Sequence, residues 1–244
     1  MACLWQHVRG ERGGQGRNRE GDMEDPPFAV LRSRMVSAQI ESRGICDPRV
    51  LEAFRSVPRH EFVPPRLRAV AYEDHPIEIG LGQTISQPFM AAAMTELLGL
   101  RSVDRALEIG TGSGYQAAIL SLLAQEVVTI ERHPRLAALA RERLAAFGYG
   151  NVTVFVGDGS RGAPEQGLFD AIIVTAAAPQ IPISLIHQLS EGGRLVCPVG
   201  GRMSQTLVRG VRKPEGFVEE YAMGCIFVPL LGAEGWPGED DPVE

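Results

Sequence analysis

Apolar positions along this chain fall into two alternating rhythms. Short, nearly continuous runs at 106–109, 127–130, 152–156, 171–174 and 194–196 have the length and branched content of strands, and between them the stretches 89–98, 115–123, 134–147 and 182–189 have helical spacing. The stretch 134–147 carries Leu136, Leu139, Ala140 and Leu144 on one face and ends at Gly148, which suits the position just past a helix. Strands alternating with helices predict right-handed crossovers and a parallel sheet, and runs such as Ile172-Ile173-Val174 fit strands buried on both faces. After Gly201 the rhythm changes. The runs 205–211 and 217–228 flank Lys213-Pro214-Glu215-Gly216 and predict an antiparallel hairpin at one edge of the sheet.

Upstream, the chain turns helical from Val36. Asp47 reads as an N-cap with Pro48 at the first helical position and Val50, Leu51 and Phe54 as its apolar face, and Val57-Pro58 ends that helix. A proline-punctuated stretch runs to Pro76, followed by the segment 80–88, which reads as a loop long enough to suggest a function. Residues 1–27 mix Gly, Arg, Glu and Asn with little to bury and are expected to be disordered; 233–244 reads as an acidic flexible tail. A single domain is expected over 28–232, with 28–88 as its helical and loop part and 89–232 as its α/β core.

Composition narrows the function. At 244 residues with 44% hydrophobic and 22% charged side chains, the chain suits one well-buried domain. A net charge of −6 provides no basic field to neutralise phosphates, and in 1–27 the acids offset the arginines, so nucleic acid is not an expected partner. Cys3, Cys46, Cys197 and Cys225 form no Cys-x-x-Cys pair, which argues against a zinc site and a disulfide framework and favours a reducing cytoplasm. No apolar run is long enough to span a membrane, and the apolar stretch at the start is too short for a signal peptide. A cytoplasmic monomer without membrane or metal is the expectation.

The chemistry gathers where strands end. Glu108-Ile109-Gly110-Thr111-Gly112-Ser113-Gly114-Tyr115 reads as a buried strand entering a glycine-rich turn and then a helix, the construction by which α/β proteins make nucleotide pockets. Its spacing, Gly-x-Gly-x-Gly, departs from the dinucleotide pattern Gly-x-Gly-x-x-Gly and leans toward S-adenosylmethionine. Glu131 closes the next strand, where an acid can accept hydrogen bonds from both hydroxyls of a ribose. Asp158-Gly159 follows the third strand and Thr175 the fourth. Asp158 suits either a turn cap or a contact to an adenine amino group, the latter favoured by the company of Glu131 and the glycines.

These residues, together with Gly82-Gln83-Thr84-Ile85-Ser86-Gln87-Pro88, Val57 to Pro64, Phe169 to Ala177 and Gly192 to Val196, closely resemble the protein-L-isoaspartate O-methyltransferase family, over about 31–231. The glycine loop is common to many methyltransferases; the Gln-Thr-Ile-Ser-Gln-Pro segment is far more specific. The resemblance implies a Rossmann-like methyltransferase fold, with a mostly parallel sheet between helices on both faces and an antiparallel edge hairpin. It implies methyl transfer from S-adenosylmethionine to the free carboxylate of isoaspartyl residues in damaged proteins. Ser86 matches the family's active-site serine, with Thr84 beside it, and cofactor contacts are expected at Gln83, Ile85, Glu108, Gly110, Gly112, Gly114, Tyr115, Glu131, Asp158, Gly159 and Thr175.

Elementary chemistry agrees. A carboxylate is already ionised at neutral pH, so its attack on a sulfonium methyl needs no general base, and His60, His75 and His133 are expected to be structural or surface residues. Among rival readings, a small-molecule O-methyltransferase would share the cofactor half and differ in 80–88. An adenine-N6 enzyme would need an Asn/Asp-Pro-Pro-aromatic motif where Thr175-Ala176-Ala177-Ala178 stands, and a cytosine-C5 enzyme a nucleophilic cysteine, for which Cys197 is the sole candidate and reads as a small buried hydrophobe. A non-catalytic adaptor would be expected to have lost Ser86 or Glu131.

Overall fold

The structure is a computed structural model and describes residues 26–237; the expectations for 1–25 and 238–244 lie outside them. Helix α1 (Pro26–Met35) runs on through a π turn and a 3-10 turn to Gly44. Helix α2 (Pro48–Ser56) begins as expected, with the Asp47 carboxylate accepting the Arg49 N–H at 2.9 Å and Val50, Leu51, Ala53 and Phe54 buried. Two 3-10 turns then lead to an antiparallel pair, β1 (Ile77–Gly80) and β2 (Gln83–Ile85). The segment expected to be a plain loop is therefore largely a hairpin. Its tip, Gly80-Leu81-Gly82, is left-handed at all three residues, a conformation that the two glycines adopt freely and that conceals the strand pattern.

Helix α3 (Pro88–Leu98) leads into the sheet, which is built from β3 (Arg105–Ile109), β4 (Glu126–Glu131), β5 (Val152–Val156), β6 (Phe169–Val174), β7 (Leu189–Gly200), β8 (Gln205–Lys213) and β9 (Gly216–Cys225). Helices α4 (Tyr115–Ser121), α5 (Pro134–Ala146) and α6 (Ile183–His187) connect the first five of these strands. The spatial order is β5-β4-β3-β6-β7-β8-β9; the parallel pairing from β5 to β7 and the antiparallel hairpin of β8 and β9 at one edge are those the sequence predicts. Strand β7 is much longer than 194–196: residues before Gly192-Gly193 join the sheet through a shift in register against β6, which the two glycines hid.

Alternation along the strands divides two cores. Ala106, Val127, Ala171, Ile173 and Val196 pack toward α2, α3 and α4, whereas Leu107, Ile109, Val128, Ile130, Ile172, Val174 and Leu195 pack toward Leu185 of α6 and Leu230 near the C-terminus. The chain leaves β3 toward β4 on one side and reaches β6 on the other, so the topological switch lies above β3, at the carboxyl end where the glycine loop begins. At the far end, residues 233–237 do not start a free tail. They fold back on the sheet, with Trp236 N–H donating to the Leu230 carbonyl at 2.7 Å.

Candidate active site

Strand β3 ends in Ile109, and the loop that follows is tied to its neighbours by the backbone: Gly110 N–H donates to the Ile130 carbonyl at 2.9 Å and Thr175 N–H to the Ile109 carbonyl at 2.9 Å. Thr175 also donates its hydroxyl to the Gly110 carbonyl at 2.7 Å. A Cβ on Gly110 would lie 2.5 Å from the Thr175 Oγ1, and φ there is +94°, so glycine alone fits. Gly159 is constrained from the next layer, where a Cβ would meet Ile109 Cγ2 at 2.6 Å. Both glycines thus leave backbone bare at the floor of a cleft.

Glu131, the last residue of β4, is 5% exposed and lines that cleft. Its Oε2 accepts the Gly112 N–H at 2.8 Å and its Oε1 the His133 N–H at 2.9 Å. Each oxygen keeps a further lone pair, so the carboxylate orders the loop while remaining able to accept from a ribose. Gln83, Thr84, Ile109, Gly110, Gly112, Ile130, Arg132, Gly159 and Thr175 complete its walls, roofed by Val228 to Leu231.

Beyond Thr84 a second and larger cavity opens, a groove of about 1190 Å³. Thr84, Ser86, Gln87 and Phe89 line one side and Ser204 to Thr206 with Met223 to Val228 the other. Thr84 and Thr175 line both the cleft and the groove, and Ser86 lines the groove and a small recess that reaches Gly112 and Ser113. Among the described residues neither the Ser86 nor the Thr84 hydroxyl is engaged in a hydrogen bond.

Three residues that sequence reasoning did not single out shape this region. Arg59 donates to the Ser86 carbonyl at 2.7 Å. Asp74 accepts from the Gln87 side-chain amide at 2.9 Å and pairs with Arg43 at 2.8 Å, while the Arg43 guanidinium stacks 3.4 Å over Phe89. Arg59 belongs to a segment of the family resemblance. No local signal marks Asp74, whose role arises from contacts across the fold.

Five residues expected at the cofactor, Glu108, Gly114, Tyr115, Ile85 and Asp158, do not line the cleft itself, although Tyr115 and Ile85 border the recess beside the glycine loop and Asp158 a shallow pocket with Arg132. Glu108 is fully buried and does not line the cleft; its Oε2 accepts the Thr129 hydroxyl and its Oε1 has no hydrogen-bond partner. The Tyr115 ring turns into the core, edge-on to Phe54 and Phe62. Ile85 is also buried, paired with Ile77 in the hairpin. Asp158 serves as the cap that was its alternative reading, accepting Ser160 N–H at 2.9 Å and Ser160 Oγ at 2.7 Å, and it accepts Ala233 N–H at 2.8 Å. Burial opposes its charge, but these donors hold its carboxyl below the ordinary range. Glu234 extends the same strap, its carboxylate accepting Ser184 N–H at 3.0 Å while its own N–H donates to Ser160 Oγ at 3.0 Å.

Burial pushes the Glu108 carboxyl up to about 8, against the Thr129 hydrogen bond. The folded protein then keeps this proton to about pH 8, whereas the unfolded chain releases it near its ordinary value of 4.5. Stability is therefore expected to fall as pH rises through this window, by up to about 1.4 kcal/mol per pH unit. Glu108→Gln should flatten that fall, measured by urea unfolding at pH 5, 6.5 and 8. Parallel curves for the two proteins would show that Glu108 is ionised in the fold.

His60, His75 and Cys197 line neither the cleft nor the groove. His60 is buried, stacked 4.0 Å from Phe28 and hydrogen-bonded to Tyr72 at 2.7 Å; His75 is exposed beside Glu73. Cys197 is fully buried and its thiol is pushed up by that burial, which suits a small hydrophobe and not a nucleophile. Among the described residues no group of His, Cys, Asp and Glu could hold a metal ion, and no helix is long and apolar enough to cross a membrane.

The sequence profile of protein-L-isoaspartate(D-aspartate) O-methyltransferases matches residues 31–235. The chain belongs to that family. A protein-L-isoaspartate O-methyltransferase of Methanoculleus marisnigri is 56% identical over 221 residues, which are 90% of this chain and all of that protein. One from Koribacter versatilis is 51% identical over 86% of this chain and 94% of its own length. A solved structure of a putative protein-L-isoaspartate O-methyltransferase from Plasmodium falciparum, in complex with S-adenosyl-L-homocysteine, superposes with a TM-score of 0.72 at 26% identity, covering 82% of this chain and 98% of that one. The Rossmann-like methyltransferase architecture is thus that of the protein-L-isoaspartate O-methyltransferases.

Proposed function

We propose that this chain methylates the free carboxylate of isoaspartyl residues in damaged proteins, with S-adenosylmethionine as donor. One observation carries the reading: Thr84 and Thr175 border both the glycine-floored cleft and the groove, so donor and acceptor cavities meet beside the unengaged hydroxyl of Ser86. Ser86 and Thr84 hold the acceptor carboxylate. Glu131, Gly110, Gly112, Gly159, Gln83 and Thr175 form the cofactor site, with Gly114 closing its loop against Ala140 and Leu144 of α5, and the bare backbone at Gly110 and Gly159 fits a ligand that must approach closely. S-adenosylmethionine, when bound, supplies an electrophilic sulfonium methyl.

The chain's own task is alignment. The acceptor is ionised before it arrives, so no proton has to be moved, and holding it in line while water is excluded supplies roughly 7 kcal/mol or more. Among the described residues Arg43 is the one charged side chain lining the groove, where it is paired with Asp74. Once esterified, the carboxyl carbon is open to attack by the following backbone nitrogen, which expels methanol, closes a succinimide and begins repair. The enzyme works as a cytoplasmic monomer without nucleic acid or membrane partners, which its charge of −6 and the free thiols of Cys46, Cys197 and Cys225 support.

The test is transfer of a tritiated methyl group to an isoaspartyl peptide beside the matching aspartyl peptide. The isoaspartyl form alone is expected to be labelled, because its carboxylate sits one methylene from where a normal side chain would place it. Equal labelling of both would favour a small-molecule methyltransferase.

A further inference from the structure

Arg59 has no exposed surface and no carboxylate partner among the described residues. A buried guanidinium without a counter-ion is costly, and an apolar side chain of similar size would suit a core better. Its hydrogen bonds instead go to two carbonyls from separate stretches of chain: Nε donates to Ala71 and Nη2 to Ser86, each at 2.7 Å, spanning 12 and 27 residues. Its Cζ lies 4.9 Å from the ring centroid of Tyr115, the first residue of α4 immediately after the glycine loop.

We propose that Arg59 is a positioning residue that fixes the acceptor serine against the donor loop. Ser86 follows the last residue of β2 and precedes α3, so no strand partner holds its peptide group. Arg59 fixes that carbonyl, while Asp74 holds Gln87 next to it. Fixing the carbonyl fixes the Ser86 ψ angle and, with it, the direction in which Cβ leaves the backbone, from which the hydroxyl takes one of its staggered positions. The same guanidinium rests against Tyr115, so the distance between the acceptor hydroxyl and the glycine loop is set by one rigid, planar group. Lysine carries the same charge but lacks the fork needed to reach both carbonyls and the ring.

The inference rests on Ser86 as the residue that holds the acceptor, and a double-mutant cycle separates the two claims. Arg59→Lys is expected to lower kcat about tenfold, with the KM for isoaspartyl peptide and the calorimetric Kd for S-adenosylmethionine unchanged within about twofold. In a Ser86→Ala background the same change should cost almost nothing further, since the hydroxyl it aims is gone. Arg59→Gln, which keeps a planar donor, takes its place if the lysine variant does not fold. An equal loss of kcat in both backgrounds, or a loss that follows melting temperature alone, overturns the role of Arg59. Full activity of Ser86→Ala by itself would instead overturn the reading of Ser86.

Discussion

Glu131→Ala is expected to raise the dissociation constant for S-adenosylmethionine at least about a hundredfold while the domain stays folded. The carboxylate lies at the end of β4, 5% exposed, on the wall of the cleft. Two charge-assisted hydrogen bonds to ribose hydroxyls would be lost, each worth about 1.5 to 3 kcal/mol before water compensates. The loop loses its own anchors as well, because Gly112 N–H and His133 N–H both donate to this side chain. Glu131→Gln, which retains one acceptor oxygen, should fall between the two. Calorimetry supplies the constants and circular dichroism the check on folding. A folded alanine variant with wild-type affinity would remove Glu131 from the site.

Ser86→Ala should lower turnover on an isoaspartyl peptide by roughly one to three orders of magnitude, the usual cost of a positioning hydrogen bond lost in a dry site. Its effect should be confined to the acceptor side. Ser86 lines the groove and the small recess but not the glycine-floored cleft, so cofactor affinity should be unchanged. Steady-state kinetics with the peptide varied, paired with direct binding of S-adenosylmethionine, distinguishes this from general damage. Undiminished turnover would mean that Thr84 or the backbone holds the carboxylate alone.

The parallel sheet was legible because buried strands leave unbroken apolar runs and helices leave a face, and Asp47-Pro48 marked its helix through two independent local rules. Glycines hid the rest. They carry the tip of the β1-β2 hairpin and the early part of β7, where the pattern that identifies a strand is interrupted. The glycine loop and Glu131 stand out through the types and spacing that a nucleotide pocket asks for, and Ser86 and Thr84 through the family resemblance of 82–88; all of them border the cleft, the groove or the recess between. Glu108 and Tyr115 stand in the same motif, and their directions are not legible in it: Glu108 turns into the core, and the Tyr115 ring packs edge-on to Phe54 and Phe62 while bordering the recess. Asp158 has a further contact that the sequence conceals: besides Ser160 it accepts the Ala233 N–H, 75 residues away, in a segment whose composition reads as a tail.

The strap has a bearing on the tempo of catalysis. Leu230 and Leu231 roof the cleft, and Gly232 sits so close to Asp158 that a Cβ would lie 2.0 Å from its Oδ1. Were the donor to pass beneath this roof, each exchange of a nucleoside-sized molecule would cost the contacts of Asp158, Ser160 and Ser184. A decline of kcat with added viscogen would show that this opening limits turnover, and a kcat indifferent to viscogen would show that methyl transfer does.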